Sequence, residues 1–188
     1  MAMRYKPIDL DELTELARYI FREYSDDPEE AVEQVKDVLI KEYRDGWDYL
    51  EYQLSMYGDF EPELDVNKLQ EALYVDYDGE TFENRIRDYS DAGDEESFVR
   101  VVQTETHRMF NAGSQDAASM VNKQVYKTWT TMQDDRVRET HDYLEGVTIP
   151  VEDEFYTYDG DYARFPGDFK NASNNINCRC ILNYIIKA

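Results

Sequence analysis

Val125-Tyr126-Lys127-Thr128-Trp129-Thr130-Thr131 is the stretch on which the fold turns. Val125, Lys127, Trp129 and Thr131 alternate with Tyr126, Thr128 and Thr130, a period of two in β-branched and aromatic residues that predicts a strand. Upstream the period is helical. Asp9 is placed to cap a helix carrying Leu10, Leu13, Leu16, Ala17 and Ile20 on one face. Asp27-Pro28-Glu29-Glu30 is a stronger start, because Asp accepts from free amides, Pro suits the first helical position and Glu favours the positive end of the dipole. The stripe Ala31, Val35, Val38, Leu39 and Tyr43 continues toward Trp47, Leu50 and Leu54, and Gly46 inside it predicts a break or kink. Gly58 to Pro62 reads as a loop, and Val66, Leu69 and Leu73 mark a third helix. The turn Asp78-Gly79 precedes a fourth helix around Phe82 and Ile86. After the break at 91–94, Asp94 or Ser97 caps a helix through Phe98, Val102 and Met109 that ends near Gly113.

Downstream of the alternating stretch the elements are short. Val137, His141 and Leu144 share one helical face, with Asp134 or Asp135 as cap and Gly146 as left-handed terminator. Short strands and turns follow from Val147, punctuated by Pro150, Gly160, Pro166 and Gly167. Ile176 to Ile186 is apolar on both faces, as a buried central strand should be. Helices first, then strands around one small helix, is an α+β order. A charge shift near residue 95 divides an acidic helical region, 1–94, from a small mixed module, 95–188.

That shift is large. Residues 1–100 hold 29 acidic and 11 basic side chains, a net charge of −18, out of −22 for all 188 residues. Affinity for nucleic acid comes chiefly from Lys and Arg neutralising phosphates. The first hundred residues are therefore a poor DNA surface, better suited to solvation or to a basic protein partner. The aromatic share of 14%, with 16 Tyr, supports a packed core rather than disorder. Met1–Leu10 lacks the apolar run of a signal peptide, and no stretch is long and apolar enough to span a bilayer. Cys178 and Cys180 lie too close in sequence to staple distant segments, so folding in a reducing cytoplasm is expected.

The C-terminal half carries five elements in a fixed order. They are the helix Thr104-Glu105 to Asn111-Ala112-Gly113; Trp129 followed by Asp134-Asp135-Arg136-Val137-Arg138-Glu139-Thr140-His141; Leu144-Glu145-Gly146; Phe155 with Phe165-Pro166-Gly167-Asp168; and Asn177-Cys178-Arg179-Cys180. Together they resemble the Mu F-like head-morphogenesis family of tailed bacteriophages, over about residues 95–186. The resemblance implies a minor structural protein of the phage head. It would act in procapsid assembly near the portal and in DNA delivery, with the portal and other head proteins as partners, located in the virion or procapsid and in the host cytoplasm during assembly. It also singles out Glu105, Asn111, Trp129, Asp134, Arg136, Arg138, His141, Gly146, Pro166, Asn177, Cys178, Arg179 and Cys180 as structural motif residues, with no catalytic group and no cofactor.

Two chemical alternatives stand beside that reading. Side chains two apart on a strand point the same way, so Cys178 and Cys180 present two sulfurs on one face, and His107 and His141 could complete a zinc set. The preferred reading keeps both cysteines as small core residues, because structural zinc sites usually show paired Cys-x-x-Cys knuckles. Arg179, on the face opposite the cysteines, can reach Glu105 or Asp134 as a bidentate pair. The other alternative is a metal-dependent hydrolase or nuclease using Glu105, His107, Asp134 and His141. No nucleophile motif, P-loop or dinucleotide fingerprint accompanies it. Tyr156, Tyr158, Tyr162 and Phe165 sit among acidic neighbours, which favours a protein interface or half-buried hairpin over base stacking.

Overall fold

The structure, a computed structural model, describes residues 9–58, 60, 63–77 and 79–187. Five helices come first: α1 Leu10–Glu23, α2 Pro28–Leu54, α3 Val66–Leu73, α4 Phe82–Ala92 and α5 Glu95–Ser119. Their starts are set by local side chains. Asp9, Asp27, Asp65 and Asp94 each accept from free amides in the first turn. Gly93, in the left-handed region at φ 68°, ends α4. Of the expected 58–62 loop, Asp59, Glu61 and Pro62 lie outside the described residues, as does Asp78 of the 78–79 turn.

Two glycines are used differently from the expectation. α2 runs through Gly46 without a break, and α5 runs through Gly113 to Ser119. The two helices form the most extensive element pair of the described residues, and they cross where these glycines lie. A Cβ on Gly46 would sit 1.9 Å from the Phe110 carbonyl oxygen, and one on Gly113 would sit 1.9 Å from the Tyr43 carbonyl oxygen. The contact is reciprocal. Each helix lacks a side chain where the other's backbone arrives, so the loss of helix propensity at glycine is offset by close packing. Ser114 to Ser119, read as a small-residue stretch beyond the helix, is its last turns.

The remaining elements are β1 Val125–Thr130, α6 Glu139–Asp142, β2 Thr148–Pro150, β3 Phe155–Tyr156, β4 Tyr162–Ala163, α7 Ala172–Asn175 and β5 Ile181–Ile186. The fold is α+β. β1 lies at the centre of an antiparallel sheet in the order β2-β1-β5, with Trp129 opposite Leu182 and Val125 opposite Ile186. The burial of β1 alternates as its sequence predicts, with Val125, Lys127 and Trp129 inside. β3 and β4 form a small hairpin on which Tyr156 and Tyr162 are exposed and pack ring to ring at 5.8 Å.

The closing strand departs from expectation. It starts at Ile181 rather than Ile176, and it is an edge strand, not a central one. Its apolar character on both faces reflects what covers it. Leu182 and Tyr184 point into the core, and α2 lies against the strand. Gln53 of α2 accepts from the Tyr184 amide at 2.7 Å, while Tyr49 and Gln53 both donate to the Asn183 side chain. Gln53 thus takes up a ladder amide that a bare edge would offer to another chain. The buried apolar residues form one cluster from Leu13 of α1 to Tyr184 of β5.

Candidate functional site

The motif residues gather where the segment 131–142 meets the segment 174–180. The helix expected over 134–144 is shortened to Glu139–Asp142, and Arg138 rather than Asp134 precedes it. Asp134 is spent elsewhere. Its carboxylate accepts from both terminal nitrogens of Arg179 at 2.8 and 2.7 Å and from the Arg136 amide at 3.1 Å. The guanidinium holds the Asp134 carboxyl well below the usual carboxylate range. Their side chains keep 33% and 23% of their exposure, so the pair is not the buried bridge that a core role would need. Arg138 donates to the carbonyls of Ser173 and Ile176 and so ties α6 to α7. Asn177, exposed, has φ 58°, the left-handed backbone that Asn tolerates better than most residues. It turns the chain just before the cysteines.

The two histidines answer to different partners. His107 Nε2 lies 2.6 Å from the Cys180 carbonyl oxygen, and Asn111 Nδ2 donates to the same oxygen at 3.2 Å. Burial pushes the His107 pKa down, against the favourable carbonyl contact, so the neutral ring donates through Nε2–H. His141 instead directs Nδ1 at both thiols, 3.6 Å from Cys178 Sγ and 3.4 Å from Cys180 Sγ. Its ring stacks on Phe169 at 5.3 Å and meets Trp129 edge-on at 5.4 Å, and its Nε2 is buried without a hydrogen-bond partner. Trp129 also packs against Phe155 at 5.1 Å. The contact between the two sulfurs splits their acidity, lowering the pKa of Cys178 and raising that of Cys180. The cysteines are buried and free, and they precede the strand rather than lying on it.

Arg136, Arg138, His141, Asn177, Cys178, Arg179 and Cys180 line one cavity of about 10 Å³. It adjoins a wider groove of about 860 Å³ bordered by Leu10 and Leu13 of α1, Thr106 and His107 of α5, and Ile181. The other motif residues are elsewhere. Glu105, fully buried, pairs with Arg85 and Arg108 at 2.7 Å each. Burial alone would raise its pKa, and the two guanidiniums outweigh that and hold it down. Pro166 and Gly167 are buried, and a Cβ on Gly167 would come within 2.9 Å of the Arg108 side chain. Gly146, at φ 74°, donates its amide to the Trp129 carbonyl and ends the α6 turn.

The four side chains of the hydrolytic alternative therefore do not share a task. Glu105 is held by arginines, Asp134 by Arg179, His107 by a backbone carbonyl and His141 by thiols. Among the described residues, the metal-competent cluster is His141, Cys178 and Cys180, and His107 is outside it.

Two polar residues escaped the sequence reading. Lys127, on the inward face of β1, donates to the Arg164 carbonyl at 2.8 Å and to Gln115 at 3.2 Å, and burial pushes its pKa down to about 7. The alternation of β1 already placed it inside, beside Trp129. Asp161, buried, accepts from the amides of Tyr162, Lys170 and Asn171 and from the Asn174 side chain. No local pattern marks it, because its partners lie up to 13 residues away.

The family model described as Phage Mu protein F like protein matches residues 67–183. The chain belongs to this family. Minor head protein GP7 of Bacillus phage SPP1 is 36% identical over 88 residues, 45% of this chain and 28% of that protein. The NAD(+)--arginine ADP-ribosyltransferase EFV of Enterococcus faecalis (strain ATCC 700802 / V583) is 33% identical over 85 residues, 44% of this chain and 17% of that protein. The matches thus span less than a third of either curated relative. No solved structure matches the chain. No helix of the described residues is long and apolar enough to cross a membrane.

Proposed function

We propose that this Mu F-like protein is a minor structural protein of a tailed-phage head, without enzymatic activity, that acts in procapsid assembly beside the portal and in DNA delivery. The observation that carries the proposal is the family match over 67–183 together with the segment shared with a minor head protein. The site geometry supports it. Motif side chains fasten one segment to another, Asn111 of α5 to the Cys180 carbonyl, Arg138 to Ile176 and Arg179 to Asp134, and the acid–base candidates each have a separate partner. The transferase relative shares a segment that is 17% of its length, which carries no transferase chemistry to this chain.

The net charge of −18 over residues 1–100 favours a basic protein surface as partner over the DNA backbone. Partners are other head proteins, with the portal first, met in the host cytoplasm during assembly. The test is an immunoblot of purified procapsids and virions from the phage that encodes the chain, with copy counting by mass spectrometry. Few copies per particle are expected. Absence from both particles, with the protein present in the lysate, ends this reading.

A further inference from the structure

Two thiols converge on one nitrogen. The sequence favours a plain core role for the cysteines, but an imidazole Nδ1 has a single lone pair or a single N–H, so it serves one hydrogen-bond partner well. Here both Cys178 Sγ and Cys180 Sγ lie at His141 Nδ1, at 3.6 and 3.4 Å, and all three atoms fall within 4.8 Å of one another. An ion serves all three. With zinc–sulfur bonds of about 2.3 Å and a zinc–nitrogen bond of about 2.0–2.1 Å at tetrahedral angles, the nitrogen–sulfur edge is about 3.5–3.6 Å. The two edges in the protein match that length. We propose that His141, Cys178 and Cys180 bind one zinc-class divalent ion, which clips α6 to the lead-in of β5.

The donors are held in place by groups that are not themselves ligands. Phe169 and Trp129 fix the plane of the His141 ring. His107 and Asn111 hold the Cys180 carbonyl, and the left-handed turn at Asn177 delivers Cys178 beside it. Loading removes one proton from each thiol to solvent, and the two thiolates then balance the ion's charge. That balance matters, because a buried uncompensated charge is costly. Two sulfurs and one imidazole select a borderline-soft ion such as zinc over magnesium or calcium. All three donors line the cavity of about 10 Å³, which is on the order of one water, so there is room there for a solvent molecule as fourth ligand.

The test uses the full chain, reduced and stripped with chelator, then titrated with Co²⁺ as a spectroscopic stand-in for zinc. Expected are the visible bands of tetrahedral cobalt, a near-ultraviolet thiolate-to-metal band, saturation at about one ion per chain, and displacement by zinc. Zinc should raise the melting temperature of the stripped protein. Cys178→Ser, Cys180→Ser and His141→Gln should each weaken binding by at least roughly 100-fold, more than the loss of a supporting contact costs. His107→Gln should keep the stoichiometry. Wild-type protein that shows no tetrahedral cobalt spectrum overturns the proposal whether or not any variant folds. So does a folded Cys180→Ser variant that binds as tightly as the wild type.

Discussion

Along the α2–α5 seam, Gly46 and Gly113 let two helix backbones meet, and apolar side chains surround them, with the Tyr43 hydroxyl donating across the seam to Asp116 at 2.8 Å. Between residues 131 and 180 the regular elements are all short, and side chains bonded to backbone hold the chain: Arg138 to Ser173 and Ile176, His107 and Asn111 to Cys180, Asp161 to three amides. The seam depends on the absence of atoms, the irregular segment on the presence of particular polar ones. A seam of the first kind tolerates no added volume, whereas a network of the second kind fails piece by piece. Perturbations should therefore separate the two regions by size and by reach.

The largest effect is expected at the seam. Gly46→Ala favours helix by about 1 kcal/mol, yet its methyl would enter the space of the Phe110 carbonyl. A net loss of roughly 3 kcal/mol, at the upper end of overpacking costs, should appear in urea unfolding as one cooperative shift. A more stable variant would show that the helices do not meet at these glycines.

Next is Asp161→Ala, which leaves three amides without their acceptor and should cost about 2 kcal/mol. Hydrogen exchange should show the loss locally, at Tyr162, Lys170 and Asn171, with α2 and α5 still protected. Loss of protection in both regions together would show that the seam and the polar network unfold as one unit.

Lys127 gives a pH-dependent test. Its folded pKa of about 7 lies below the ordinary value of about 10.4, so between the two the unfolded chain binds more protons. Stability from this group is lowest below pH 7 and rises with pH toward 10. Lys127→Met should flatten that slope and gain about 1 kcal/mol near pH 6, as hydrophobic replacement of a buried charge can. A variant with the wild-type slope would place the ammonium in water.

The smallest effect belongs to Arg179→Ala. The pair with Asp134 is about a third exposed on the acid side, and exposed pairs are screened by salt. A slight drop in melting temperature is expected near neutral pH, shrinking as salt is added. Because the folded carboxyl pKa is depressed, the contribution is full above the ordinary carboxylate range and lost as pH falls through the folded value. Wild type and variant should converge in acid.

What was legible in the sequence follows the range of the physics. Caps at Asp9, Asp27 and Asp94 and the alternation from Val125 act over a few residues, and they appear as read. Glycine is ambiguous at that range. Gly93 and Gly146 do end helical turns, while Gly46 and Gly113 serve a partner helix more than 60 positions away in the chain. Asp134 offered a cap by position and took Arg179 by geometry. The pairing of Cys178 and Cys180 with His141 rather than His107 could not be read, because the partner of His107 is a backbone carbonyl that no residue type announces.

The covered edge of β5 bears on the timing of folding. Tyr49 and Asn183, which bond to each other, are separated by 134 positions, and contacts of such high sequence separation slow folding. During synthesis α1 to α5 emerge first and can close their seam while β1 still waits for its second neighbour. Gln53 then holds its acceptor in readiness for an amide that the ribosome has yet to make. The strand that completes the sheet arrives after the helices it packs on, so growth of the chain itself sequences the assembly of the fold.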